Sequence, residues 1–442
     1  MNQFNASLWG DEGFSAILSM KSVPEIIRII IKDTSPPLYN LTEHFWFGIF
    51  GTSEAAIRSL SFFYYCLAVF FVFKLVSLLW DRKTAFAAAL LTFFNPFFFI
   101  YAFEGRMYSI MSLGVAASMY FYLKIWNSRK PSSFDFAGYV IATLWAIYSH
   151  HFAMFIVILQ GLWWILESLT GNRKLSKKVF LSFLTIGVGY LPWVWPLYSQ
   201  TKMVSGGFWL GTPSARDLVF LMGEYLAYGI KSPLSGVALV IALIILLLRI
   251  WNKKYKSTLI IALWFIFPIL ATWTISQFMQ SIFYNRYLLY TIPGAMIILA
   301  SNRRKVFSSV LIGVLLGLFI RIDYHYFTHP VKYPFRELAE YVIETKKGDD
   351  YLINWNAASH HIWETKYYGI GAPLYIPGGE SLPFFVGTAL MAEGDIIREL
   401  PPKINRVGVI TSGEVSEIKL TGYVLAEEKH FGNLKFVWYR KF

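Results

Sequence analysis

A chain of 442 residues with 56% hydrophobic, 19% aromatic and only 15% charged side chains, at a mean hydropathy of +0.47, is too apolar to be a soluble globular protein. Its formal charge of +13 is not a nucleic-acid signature, because residues 330–442 hold 13 basic and 14 acidic residues and the whole excess lies in the apolar part, as topology with some attraction to anionic lipid. The one cysteine, Cys66, excludes an intrachain disulfide framework and fits no metal spacing.

In chain order, an acidic pair, Asp11-Glu12, comes first, followed by Asp33-Thr-Ser-Pro36-Pro37-Leu-Tyr39. Residues 1–56 are expected to form a first outer loop with juxtamembrane helices. Apolar stretches of about 17 to 25 residues, long enough to span a bilayer, run over 57–80, 84–101, 107–126, 134–150, 151–168, 178–198, 234–250, 257–279, 286–301 and 306–322. The pair 134–168 must turn at Tyr148-Ser-His-His151 with almost no loop. Residues 199–233 read as an outer element with an amphipathic helix around Arg216 to Tyr228. Beyond Asp323 the character changes, and charged residues rise to 27 of the last 113. Phe335 to Glu344 has helical periodicity, while Tyr351 to Asn354, Arg406 to Ile410 and Lys435 to Tyr439 read as strands. The expected fold is a polytopic all-α membrane body, 57–322, with a small extracytoplasmic α/β domain, 330–442.

Loop charges orient the chain. One alternating set holds fifteen cations: Arg82, Lys83, Arg129, Lys130, Arg173, Lys174, Lys177, Lys178, Arg249, Lys253, Lys254, Lys256, Arg303, Arg304 and Lys305. The opposite short loops hold five, Arg106, Lys202, Arg216, Lys231 and Arg286. The positive-inside rule puts the first set in the cytoplasm and Asp11, Glu12, Glu104, His150, His151 and Arg286 outside a cell membrane. Ten spans with both termini outside would require the first outer segment to cross unaided, so a further apolar helix is expected to be encoded upstream.

Charges beside hydrocarbon cost several kcal/mol unless they are paired or used, so an outward acidic element in this setting reads as functional. The sequence has no Walker loop and no dinucleotide fingerprint. A substrate for outward-facing chemistry would arrive through the bilayer, and a polyprenyl-phosphate sugar does so, with its tail between helices and its phosphate at the interface. Such a site needs a carboxylate base for the incoming hydroxyl and guanidinium groups for the phosphate.

The order acidic pair, Asp-x-x-Pro-Pro-Leu-Tyr, Gly51-Thr-Ser-Glu54-Ala-Ala-Ile-Arg58, Glu104-Gly-Arg106-Met-Tyr108-Ser, Tyr148-Ser-His150-His151-Phe-Ala and Asn285-Arg286-Tyr287-Leu resembles the GT-C membrane glycosyltransferases. Within them it is similar to the family 39 and 83 group of protein mannosyltransferases and lipid A aminoarabinose transferases. Pro334-Phe-Arg336-Glu echoes the group more weakly. The resemblance implies transfer of one sugar from a polyprenyl-phosphate carrier to a protein, lipid or glycan acceptor on the outer face, with inversion. It makes Asp11 the catalytic base or acceptor-orienting carboxylate, with Glu12 beside it as a supporting or alternative catalytic group. It places Asp33, Glu104, Arg106, Tyr108, His150, His151, Arg286 and Tyr287 in substrate binding. Many relatives carry His or Lys before the two prolines where this chain has Ser35, which speaks against a metal there and leaves a divalent cation an open question.

Blander readings stand beside these. Glu104 and Arg106 could cap the helix that follows, His150 and His151 could bond to backbone, and Arg286 could anchor at the headgroups. Arg58 reads as structural, with Glu54 as its helix partner. Ser359-His360-His361 reads as a surface loop, and Asn5-Ala-Ser7 and Asn40-Leu-Thr42 as chance glycosylation patterns. The other functional classes are a polymerase or ligase using a polyprenyl-diphosphate oligosaccharide, and a lipid or glycan transporter, which would place ionisable residues at mid-span in paired broken helices.

Overall fold

The computed structural model describes residues 1–170, 173–248, 255–301, 306–355 and 359–442, so the loop cations Arg249, Lys253, Lys254, Arg303, Arg304 and Lys305 lie outside the described residues. Two short helices lead the chain, α1 (Gly10–Ser19) and α2 (Val23–Ile30), and α3 (Leu38–Phe50) follows the Pro36-Pro37 turn. Helix α2 begins where Glu25 reaches back to the Ser22 amide (3.1 Å) with a proline in its first turn, a strong start signal. The apolar helices are α4 (Glu54–Leu79), α5 (Arg82–Phe93), α6 (Pro96–Ile100), α7 (Tyr108–Asn127), α8 (Ser133–Ser149), α9 (Met154–Thr170) and α10 (Arg173–Ser205). The amphipathic α11 (Ala215–Ala227) lies where its pattern predicts, and α12 (Pro233–Leu247), α13 (Tyr255–Phe278), α14 (Ile292–Ala300) and α15 (Val306–Thr328) complete the membrane part. The tail folds as α16 (Phe335–Thr345), β1 (Tyr351–Trp355), α17 (His361–Tyr367), β2 (Leu374–Tyr375), β3 (Ile396–Ile397), β4 (Arg406–Thr411), β5 (Tyr423–Phe431) and β6 (Leu434–Lys441).

Among the described residues five helices are long and apolar enough to cross a membrane, and a sixth span results if α5 and the segment Pro96–Phe103, bent by 56°, count as one. The bend has a local cause. Asn95 accepts from the Phe98 amide (3.0 Å) as the cap of a new helix, and Pro96 has no N–H to continue the old one. The protein is a multi-pass membrane protein.

Backbone packing separates two compact units: Met1–Asp33 with Asn40–Ile57 and His329–Phe442, and Thr34–Tyr39 with Arg58–Thr328. In the second unit α7 and α8 pack closest, because a Cβ on Gly114 would lie 2.7 Å from the Ala146 backbone. Buried polar groups there are satisfied across helices. Gln160 accepts from Tyr139 Oη (3.0 Å) and donates to Ser118 Oγ (3.0 Å), which pairs with Thr143 (2.8 Å).

In the first unit the strand order is β3-β2-β1-β4-β6-β5, with β3, β2, β1 and β4 parallel and β6 antiparallel to both β4 and β5. Alternation along the strands builds a core on each face. Leu352, Ile410, Phe436 and Trp438 meet Phe335, Leu338 and Val342 of α16, while Ile353, Val407, Val409 and Val437 meet Ile418 and Leu420. The chain leaves β1 toward β2 and β3 on one side and returns to β4 on the other. The C-terminal ends of β1 and β4 therefore flank the topological switch point of the sheet.

Candidate functional site

Asp11 and Glu12 occupy the first turn of α1, and that turn is pressed against α17. A Cβ on Gly10 would fall 2.7 Å from His360 Cβ, and one on Gly13 would fall 3.0 Å from the Trp363 carbonyl carbon, so only glycine admits this approach. Phe14 adds an edge-to-face contact with Trp363 at 5.3 Å. Within this frame the two acidic residues differ. Asp11 is half-buried, whereas Glu12 is fully buried, accepts from the Trp9 amide (3.4 Å) and pairs with Lys332 Nζ (3.5 Å). Glu12 thus serves as the reciprocal half of a helix cap and as a counter-charge. Glu12→Gln is expected to lower stability by about 1–3 kcal/mol, read as an earlier thermal unfolding transition of the purified protein in detergent. Asp33 follows α2 and is buried, its amide bonded to the Ile30 carbonyl at 3.1 Å.

Elsewhere in this unit two readings from the sequence are corrected. Glu54 is not the helix partner of Arg58. Its carboxylate is taken by Arg336 (2.6 and 3.2 Å) and Tyr368 Oη (2.9 Å), which gives the Phe335-Arg336 echo a structural role. The Ser359-His360-His361 segment is not a surface loop at its end, because His361 is buried, with Nε2 2.9 Å from Ser412 Oγ and Nδ1 3.4 Å from Glu364 Oε2. Asn40 is buried and donates to Ser19 Oγ (3.0 Å), so it is no glycan acceptor in the fold.

In the second unit Glu104, Arg106, Tyr108, His150, Arg286 and Tyr287 come together. The Glu104-Gly-Arg106 segment is a tight turn closed by the Arg106 amide on the Glu104 carbonyl (2.7 Å), and Ser61 Oγ donates to the same carbonyl (2.6 Å). Arg286 opens a 3-10 turn, Asn285–Thr291, with its amide on Asn285 Oδ1 (2.8 Å). Its guanidinium lies 5.1 Å from the Tyr284 ring centre and 6.0 Å from that of Tyr108. The His150 ring packs on Tyr287 at 5.1 Å, takes the Phe152 amide on Nδ1 (3.2 Å), and lies within electrostatic reach of both Arg106 and Arg286. Both guanidinium groups also lie within electrostatic reach of Tyr108. A guanidinium set among aromatic rings, with a second one within electrostatic reach of the same His150 and Tyr108, suits an anion with several oxygens, above all a phosphate.

His151 is engaged differently. Its Nε2 meets Gln200 Oε1 (2.8 Å) and its Nδ1 meets Tyr190 Oη (3.2 Å), and Gln200 Nε2 donates on to the Ser35 carbonyl (3.4 Å). It therefore steadies the Ser35-Pro36-Pro37 turn. Sequence reading missed the support behind Arg286: Asn285 Nδ2 donates to Glu224 Oε2 (3.2 Å), Glu224 pairs with Lys231 (2.8 Å), and Tyr225 Oη donates to the Asn285 carbonyl. The Glu224-x6-Lys231 pair, from the last turn of an amphipathic helix to just beyond it, was the available signal. Among the described residues no group of three His, Cys, Asp or Glu side chains could hold a metal ion.

The sequence model of the dolichyl-phosphate-mannose-protein mannosyltransferase family matches residues 34–197. Among solved structures, apo ArnT from Cupriavidus metallidurans superposes with a TM-score of 0.65 at 13% identity, covering 98% of this chain and 94% of that one. ArnT bound to undecaprenyl phosphate gives 0.63 at 11% identity, covering 99% and 95%. The chain has the GT-C fold. The archaeal GT-C oligosaccharyltransferase AglB from Archaeoglobus fulgidus, in complex with an inhibitory peptide and a dolichol-phosphate, follows at 0.52 and 13% identity, covering 92% of this chain and 66% of that one. Within GT-C the chain resembles the protein mannosyltransferase and ArnT group. No curated protein sequence matches it significantly.

Proposed function

We propose that this protein transfers a single sugar from a polyprenyl-phosphate carrier to a hydroxyl-bearing acceptor on the outer face of a cell membrane, with inversion at the sugar carbon. The observation that carries the reading is that Arg286 lies against the Tyr284 and Tyr108 rings while Arg106 and Arg286 both lie within electrostatic reach of Tyr108 and His150, in a membrane-embedded chain of GT-C fold. The match to a mannosyltransferase family model and the likeness to a structure holding undecaprenyl phosphate support a lipid-phosphate donor. Asp11 takes the acceptor proton as the hydroxyl attacks the sugar carbon. The phosphate departs already anionic, so no strong general acid is demanded. Arg286 and Arg106 hold that phosphate, with Tyr287 and His150 forming one wall and Glu104 orienting Arg106.

Membranes of a deletion strain should accumulate a polyprenyl-phosphate monosaccharide and lose one sugar from a surface conjugate, both restored by the parent gene and not by Asp11→Asn. Mass spectrometry of the lipid pool reads this. Accumulation of a diphosphate-linked oligosaccharide would instead move the assignment to a ligase or polymerase, and an unchanged pool with unchanged glycans would overturn transfer.

The support behind Arg286 gives a subtler expectation. Lys231→Met leaves Glu224 without its cation (2.8 Å apart in the parent) and should raise the donor KM about fivefold with kcat retained, the worth of about one hydrogen bond. A donor titration of the purified variant measures it.

A further inference from the structure

The sheet ends on a chain of buried contacts that the proposed reaction does not use. Ser412 directly follows β4, on one side of the switch point, and is half-buried. Its hydroxyl lies 2.9 Å from His361 Nε2, and the other ring nitrogen lies 3.4 Å from Glu364 Oε2 on the next turn of α17. The imidazole is fixed between two rings, Tyr333 at 5.6 Å and Phe335 at 4.9 Å, and is only 5% exposed. Glu364 is 1% exposed, and burial pushes its carboxyl up from the ordinary range while His361 pulls it back.

Ser412, from the end of β4, thus meets His361 and through it Glu364, both on α17, and α17 is the surface on which the first turn of α1 rests. The close approach of Gly10 to His360 and Gly13 to Trp363 leaves no slack between the two helices. The Asp11 carboxylate lies within electrostatic reach of Glu364. A displacement of α17 is thus passed directly to the turn that carries Asp11. A solvated helix end would gain nothing from a buried carboxylate behind it, since burying the Glu364 charge has a cost that only a defined partner offsets.

We propose that Ser412, His361 and Glu364 form a brace from the switch-point end of the sheet to the first turn of α1, making Glu364 and His361 positioning residues for Asp11. The proposal rests on Asp11 being the base. It gives the C-terminal α/β part a stated task in the reaction: holding the carboxylate at the angle from which it takes a proton. Misplacement by a fraction of an ångström is expensive for such a group, because the attack geometry tolerates little.

The test is a double-mutant cycle on the full-length protein, with kcat and donor KM measured separately. Glu364→Ala should lower kcat about 10-fold with the donor KM within about twofold, and should cost nothing further in an Asp11→Asn background. Glu364→Gln, which keeps an acceptor for the imidazole N–H, should retain most of the parent rate, and Ser412→Ala at the half-buried end should show a smaller kcat loss of the same kind. These two variants keep the experiment informative where the alanine at Glu364 folds poorly. Equal losses from Glu364→Ala in both backgrounds would overturn the brace, because a general loss of folded protein or of activity does not depend on Asp11. Full activity of Asp11→Asn alone, seen before Glu364 is altered, would remove the base assignment and the brace with it.

Discussion

Asp11→Asn is expected to lower sugar transfer at least about 100-fold while leaving donor affinity within about twofold of the parent. The amide has the size of the carboxylate and cannot accept the acceptor's proton, so the loss falls on the chemical step. Its place on α1 is secured by contacts independent of that carboxyl group: the glycine faces of Gly10 and Gly13 and the Phe14 ring, all against α17. Glu12 cannot take over. It is buried, committed to the Trp9 amide and to Lys332, and a proton taken there would leave a lysine unpaired. Single-turnover transfer from a radiolabelled polyprenyl-phosphate sugar, with purified protein in lipid nanodiscs, separates the chemical step from binding. Retention of the parent rate would shift the base to Asp33, the acidic residue of the Asp33-Thr-Ser-Pro36-Pro37 motif.

How far the sequence reaches is set by the range of the interaction being read. Length and apolarity decide a span locally, and the helices α4, α10, α12 and α13 lie where their apolar stretches predict. The stretch 286–301 is read as one span from the same signal, yet it divides into the Asn285–Thr291 turn and a helix of nine residues. Pro293 at the start of α14 and the Asn285 side chain on the Arg286 amide explain that break, and average hydropathy registers neither. The last span likewise runs past its expected end at 322 to Thr328. Phe327 and Tyr326 extend it by packing on Phe103 and Phe99, as aromatic side chains do at an interface. Strands β2 and β3, two residues each, are too short to carry a period. Glu12 lies three residues after Trp9, a cap position with none of the usual Ser, Thr or Asp to mark it.

The candidate site shows the same division. Motif spacing brought out Glu104, Arg106, Tyr108, His150, Arg286 and Tyr287, which the fold gathers in one unit. It could not show that His151 serves Gln200, 49 residues on, or that Glu54 serves Arg336, 282 residues on. Partnerships at that separation are products of tertiary packing. His361 was misread for this reason, because its Ser412 partner lies 51 residues away on another strand end.

Arg286→Ala should raise the donor KM about 10- to 100-fold, the range expected when charge-assisted hydrogen bonds to a phosphate are lost. The guanidinium is held before any donor arrives: the Tyr284 ring lies 5.1 Å from it, and its backbone is fixed through Asn285 to Glu224 and Lys231. Binding therefore costs little side-chain entropy at this position, and removing the group forfeits an interaction that was already organised. Arg286→Lys keeps the charge and loses the planar fork, so it should recover only part of the affinity. Arg106→Ala tests whether the two cations act as a pair, since both lie within electrostatic reach of Tyr108 and His150, and the double variant should lose less than the product of the single losses. Donor titrations at two ionic strengths complete the measurement. A site organised around half-buried guanidinium groups should keep more of its affinity at high salt than headgroup anchoring by exposed cations would. An unchanged donor KM in Arg286→Ala would place this arginine at the membrane surface and leave the phosphate to Arg106.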